Sequence, residues 1–190
     1  MKATKTCLAI SLGFVLALSG LTACTRDRGV EAAREDQLPS VTPAEQDFMM
    51  KTAQGHMGEI EMARIALNKS SNQEVKDYAN MIERDHNNGM KVLVELMQDK
   101  NVSQPKTLTG DAQQAMSSMN GLTGPEFDRE FVNTMVSEHR RILEMFRDQQ
   151  ASAQNLEVKD YVEATMPTLE MHLDKAQRLQ SKLFSTPTSR

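Results

Sequence analysis

The sequence predicts an all-α fold: a ferritin-like four-helix bundle made of two duplicated helical hairpins with a long middle connection. Three observations carry this. Apolar residues recur in alternating steps of four and three through four long stretches. The second half of the body repeats the first at one constant offset. That offset carries Phe48 to Phe131, His56 to His139, and the run Glu74-Val75-Lys76-Asp77-Tyr78 to Glu157-Val158-Lys159-Asp160-Tyr161. Finally, 190 residues with 9 Gly, 6 Pro, 4% aromatics and no Trp hold too few turn formers and aromatics for a β-sandwich or barrel.

Residues 1–23 read as a lipoprotein signal peptide. Lys2 and Lys5 open it, and the apolar run Leu8 to Leu18 is too short to span a bilayer. It ends in Leu21-Thr22-Ala23-Cys24, which resembles the bacterial lipobox, in which the cysteine is acylated and becomes the new N-terminus. The expected partner is therefore a membrane, reached through a lipid on Cys24. Thr25, where an Asp would signal inner-membrane retention, points to an outer-membrane lipoprotein facing the periplasm. Residues 24–42 are polar and charged, and read as the lipidated cysteine with a flexible tether. The other cysteine, Cys7, lies in the signal peptide, so no disulfide contributes to the mature chain.

The bundle is expected over residues 43–183, followed by a disordered tail, 184–190. The first helix is placed at about 43–69, with Thr42 as N-cap, Pro43 in the first turn and Glu45 completing a capping box. The second is placed at about 72–100. The third is placed at about 124–151 with Thr123 as cap and Pro125 early, and the fourth at about 155–183 with Asn155 as cap. Pro167 lies inside the fourth helix and is expected to kink it. Residues 101–123 are long enough to cross the bundle end to end, with room for a short helix near 111–119.

The chain has four histidines, and each long helix carries one on its inward seam: His56, His86, His139 and His172. At 1.5 Å per residue they fall within about one helical turn of a common level. One inward histidine is ordinarily a hydrogen-bonded core group. Four in one layer need partners in a low-dielectric core, and a metal ion satisfies several at once. Two carboxylates join the candidate ligands: Glu59, one turn from His56, and Glu83, which forms a Glu-x-x-His with His86. The fourth helix has Leu169 where a carboxylate-bridged di-iron site would need Glu, which disfavours that site and fits a His-rich mononuclear one. Glu138 is rotated away from His139 and reads as solvated. Met135, one turn from His139, would suit copper by its thioether, although methionine is also a common filler of helical cores.

Other classes are excluded more simply. With 22 basic against 26 acidic residues the net charge is −4, and no basic surface for nucleic acid is evident. No nucleophile constellation, phosphate loop or dinucleotide fingerprint is present.

Several runs resemble one family of bacterial exported proteins, domain of unknown function 4142. They are Asp47-Phe48, Gly58-Glu59-Ile60-Glu61-Met62-Ala63, Tyr78-Ala79-Asn80-Met81-Ile82 through Asp85-His86, Phe127-Asp128-Arg129-Glu130-Phe131 through Glu138-His139, and Met166-Pro167-Thr168-Leu169 through His172-Leu173. The resemblance covers about 43–183. It implies a ferritin-like bundle behind a signal peptide or lipobox, with no settled activity. It carries over His86, His139 and His172. The position of His56 is more often small or amide-bearing in the family pattern.

The resulting expectation is a lipid-anchored periplasmic bundle whose histidine layer is a candidate site for one transition-metal ion: copper, zinc or iron. The alternative is a cell-envelope interaction module with the histidines as structural polar groups. A di-iron redox enzyme comes third, and the protein partner is unknown.

Overall fold

In the computed structural model, the structure describes residues 40–185, all-α and without strands among them. The signal peptide, Cys24, the tether as far as residue 39, and residues 186–190 of the tail lie outside the described residues. Five helices follow in order: α1 Pro43–Lys69, α2 Gln73–Asp99, α3 Gly110–Asn120, α4 Gly124–Ser152 and α5 Leu156–Ser185.

Local chemistry sets their ends. Thr42 Oγ1 accepts from the Glu45 amide at 3.2 Å while Glu45 Oε2 accepts from the Thr42 amide at 2.7 Å, completing the capping box. Asn72 Oδ1 accepts from the Glu74 amide at 2.9 Å, and Thr109 Oγ1 from the Ala112 amide at 3.1 Å. Asn155 Oδ1 accepts from the amides of Glu157 and Val158. The cap expected at Thr123 is not made. The chain enters α4 through Gly124 at φ 57°, a left-handed conformation that swings the Thr123 side chain away from the first-turn amides. α5 runs uninterrupted through Pro167. Pro167 and Glu163, whose carbonyl loses its helical partner, are both exposed, so water can satisfy the vacated group.

α1 packs chiefly on α2 and α4 chiefly on α5; α1 also meets α4, α2 meets α5, and α3 touches α1 and α4. The end of the expected tether is not free: Val41 is buried and joins the core. The two turns are held crosswise. Glu45 Oε1, near the start of α1, accepts from the amides of Gln154 (2.9 Å) and Asn155 (2.8 Å) at the α4–α5 turn. Asp128, near the start of α4, accepts from Ser70 Oγ at 2.6 Å in the α1–α2 turn.

The apolar core is in two parts. One gathers Met62, Ala66, Tyr78, Ile82, Phe127, Phe131 and Met135, with Met119 supplied by α3. The other gathers Phe48, Met49, Leu93, Met97, Phe146, Tyr161 and Leu169. On all four long helices the gap between them falls at the same level, and there His56, Glu59, His86, His139 and His172 are buried. The fold therefore sandwiches one polar layer between two apolar ones, each buried aliphatic or aromatic side chain contributing about 1.5–3 kcal/mol.

Candidate metal centre

His86, His139 and His172 form a triangle. Their ring centroids are 5.6, 5.2 and 5.3 Å apart, and one ring nitrogen of each lies within 4.8 Å of the others. All three are essentially inaccessible to solvent. Each has one nitrogen engaged. His139 Nδ1 donates to the Met135 carbonyl, 3.0 Å away. His172 Nε2 meets Asp85 Oδ2 at 3.1 Å, and His86 Nδ1 meets His56 Nδ1 at 2.8 Å.

The other nitrogens are left to the interior. His86 Nε2 is buried without a hydrogen-bond partner. His139 Nε2 faces His172 Nδ1 at 3.3 Å. Burial holds the His139 pKa down to about 3, the neighbouring His172 adding to it, so the ring is neutral. A neutral His139 that donates from Nδ1 bears a lone pair at Nε2. Asp85 titrates below its ordinary range despite partial burial, because Arg84 and His172 hydrogen-bond it, so it is a carboxylate that only accepts. His172 must then carry its proton on Nε2, and its Nδ1 is also a lone pair. Burial depresses its pKa as well, with Asp85 opposing. In these tautomers two lone pairs face each other 3.3 Å apart, an arrangement that a shared cation would relieve.

Glu59 lies among these rings, 1% exposed, with its oxygens 3.1 Å from His86 Nδ1 and 3.2 Å from His139 Nδ1. The approach is off the ring N–H directions, and neither oxygen completes a hydrogen bond. Burial pushes its pKa well above the carboxylate range, Glu138 adding and Arg141 opposing. Three buried polar atoms of the layer, His86 Nε2 and both Glu59 oxygens, are therefore without a hydrogen-bond partner, the Glu59 oxygens beside the Nδ1 atoms of His86 and His139. Such atoms are costly in a dry core unless something satisfies them.

The layer corrects two expectations. Glu83 is not in it: Arg64 Nε on α1 draws its carboxylate outward at 2.9 Å, and an ion pair between helices outweighs the Glu-x-x-His spacing. His56 is in the layer but stands behind the triad, with Nδ1 on His86 and Nε2 3.2 Å from Tyr161 Oη. It also packs against Gly89, where a Cβ would come within 3.0 Å of His56 Cε1. Met135 is a filler of the apolar core, as methionine commonly is, and its carbonyl accepts from His139 Nδ1.

Asp85 and Tyr161 are site residues that the seam pattern passes over. Tyr161 had a signal, since it closes the repeated pentapeptide. Asp85 sits beside the seam, and spacing alone does not single it out. Glu138 pairs with Arg141 at 2.6 Å and borders a cavity of about 200 Å³ beneath α3 that reaches Glu59. Gly58 lets α3 approach there, since a Cβ would lie 3.1 Å from Ala112 Cβ.

Two solved structures share this fold. A DUF305 fragment from Deinococcus radiodurans matches with a TM-score of 0.68 at 15% identity, covering 76% of this chain and 99% of that one. A putative secreted DUF305 protein from Streptomyces coelicolor matches with a TM-score of 0.65 at 14% identity, covering 77% and 96%. No curated protein matches the sequence. The family model described as "Domain of unknown function (DUF4142)" matches residues 30–179.

Proposed function

The chain belongs to the DUF4142 family, and from that premise we propose that it is a lipid-anchored envelope protein that holds one transition-metal ion between His86, His139 and His172. The observation that carries this reading is the convergence of His139 Nε2 and His172 Nδ1, 3.3 Å apart, with the far nitrogen of each ring already hydrogen-bonded. Outer partners of that kind fix the tautomer of metal-binding histidines. Neutral imidazoles suit zinc, copper or iron. Among the described residues Glu59 is the one carboxylate buried between the rings, with Asp85 touching His172 from its outer side, which supports a mononuclear site over a di-iron enzyme.

The anchor is the acyl group on Cys24, and residues 25–39 lead from it to the bundle; the outer membrane facing the periplasm is the location the lipobox supports. The bundle itself reads as two duplicated hairpins in a ferritin-like arrangement. Equivalent positions behave alike at the turns: Glu45 and Asp128, one offset apart, each hold the other half's turn. The halves differ where the chemistry lies. The first has His86 and Gly89, the second Leu169 and His172. Gly89 leaves room for His56, and His172 fills the corresponding room against His139.

A metal-free interaction module has one observation in its favour. Every histidine of the layer has a protein partner on at least one nitrogen. It leaves His86 Nε2 and Glu59 unsatisfied. Elemental analysis and Zn²⁺ or Cu²⁺ titration of the purified full chain near pH 7.5 decide between them. The expected result is one ion per chain and a metal-dependent rise in Tm, lost in His86→Gln, His139→Gln and His172→Gln and retained in His56→Gln. No bound metal and no rise in Tm for the wild type would leave the module reading in its place.

A further inference from the structure

We propose that the cleft between α2 and α5 binds a small neutral organic molecule with an apolar body and one coordinating nitrogen or oxygen, which completes the coordination of the ion in the histidine layer. The inference rests on the metal reading above and adds the class of ligand.

The cleft encloses about 360 Å³, within the size of small-molecule sites, roughly 300–1,000 Å³. Its floor is polar and convergent: His56, Tyr161, His86 and His172. Its walls are largely apolar, with Val92, Ala164, Leu169 and Met171. Val92 is 55% exposed and Met171 38%. The other exposed large apolar residues among those described, Leu156 and Phe184, lie at the ends of α5, whereas these two flank one opening over a titratable floor.

The triad is open on this side only in part. His86 and His172 line the cleft and His139 does not, so an ion among the three rings is walled behind by His139 and Glu59 and meets the cleft between His86 and His172. The fourth histidine does not close the site, because both nitrogens of His56 are engaged, one with His86 and one with Tyr161. Three protein nitrogens with a fourth position left open are the arrangement of ligand-binding and reactive sites, whereas structural sites close all four. Charge selects the ligand. No Lys or Arg lines the cleft to pair with an anionic group, and its largely apolar walls favour an uncharged body.

The test uses the full chain loaded with Co²⁺, whose visible spectrum reports coordination, titrated with 4-phenylimidazole and with imidazole. The expected result is a spectral change with both, saturating at about tenfold lower concentration for the phenyl compound because its ring is buried on the apolar walls. Ala164→Trp and, separately, Thr168→Trp fill the cleft from residues outside the metal layer. Both are expected to keep the Co²⁺ spectrum and to lose the phenylimidazole response by about tenfold or more. If Co²⁺ binds but phenylimidazole is no better than imidazole, or the filled variants respond like the wild type, the cleft is not the ligand site and the metal reading stands. If Co²⁺ gives no protein-bound spectrum, the metal reading fails and the ligand proposal falls with it.

Discussion

His139 Nε2 stands 3.3 Å from His172 Nδ1, and both rings are held there by hydrogen bonds from their opposite nitrogens, to the Met135 carbonyl and to Asp85. The two supports have different origins. The Met135 carbonyl is one turn back on the same helix, so it comes with the helix. Asp85 reaches across from α2 to α5 and depends on the tertiary fold. Positioning of the pair is therefore partly local and partly a consequence of α2 docking on α5.

The metal-free protein is expected to lose stability on mild acidification. Burial depresses the pKa of His56 to about 4 and of His139 to about 3, and lowers those of His86 and His172. Above about pH 6.5 neither folded nor unfolded chain binds these protons, and the contribution is whole. Below it the unfolded chain takes up protons that the folded chain refuses, so stability falls toward pH 4 by up to ~1.4 kcal/mol per pH unit for each histidine. Glu59 works in the opposite sense. Its pKa is raised, so its contribution is present below the ordinary value of 4.5 and is lost as pH rises. It offsets about one histidine over this window. Denaturant unfolding in chelator at several values between pH 7.5 and 4.5 should show the decline, and Glu59→Gln should make it steeper. A flat profile would mean that the layer is protonated or solvated in the folded state.

Gly89→Ala is expected to destabilise the protein by about 1–2 kcal/mol. In an unencumbered helix the same change would stabilise by about 1 kcal/mol. Here the new Cβ falls 3.0 Å from His56 Cε1, and the buried ring must move off His86 and Tyr161. In a His56→Ala background the obstruction is gone, and Gly89→Ala should become neutral or favourable. Equal costs in both backgrounds would place its origin elsewhere.

The same contrast between local and tertiary causes explains what the sequence discloses. The capping box at Thr42 and Glu45, the cap at Asn155 and the level of the four histidines follow from short spacings and helical periodicity, which do not depend on the rest of the fold. Glu83 and His86 have the spacing of a ligand pair, but Arg64 lies on another helix and decides where Glu83 goes. His56 and His139 occupy equivalent positions in the repeat, yet one backs a neighbouring imidazole and the other turns a lone pair inward. That difference is a matter of ring orientation, fixed by Gly89 and Tyr161 on one side and His172 on the other. Thr123 failed as a cap because the following glycine took a left-handed conformation, which the Thr-Gly-Pro string permits without requiring.

Cys24→Ser should abolish acylation. The expectation rests on Leu21-Thr22-Ala23-Cys24 placed directly after the apolar run, since a lipid can be transferred only to the thiol. The variant should accumulate unprocessed or appear in the soluble fraction, with metal content per folded chain unchanged because residues 43–185 build the layer. Gel mobility and membrane fractionation read the first outcome and elemental analysis the second. Unaltered processing and membrane attachment would rule out the lipobox.

Glu45→Gln is expected to cost about 2 kcal/mol. Its carboxylate accepts four hydrogen bonds, from the amides of Gln154 and Asn155 and from the amide and hydroxyl of Thr42. An amide in its place would aim donors at donors on one side. Burial works to raise the Glu45 pKa, but the bonds from Asn155, Thr42 and Gln154 outweigh it and hold it below the ordinary 4.5. A depressed acid stabilises fully above its unfolded pKa and loses that contribution as pH falls through the folded one. The gap between wild type and variant should therefore be widest near neutrality and narrow below about pH 4.5. Asp128→Ala removes the reciprocal contact with Ser70 at the other turn. Because the two contacts share no residue and hold different turns, the double variant should show additive losses to within about 0.5 kcal/mol. A strongly non-additive double variant would mean that the crosswise contacts act as one unit and that the hairpins do not dock independently at their two ends.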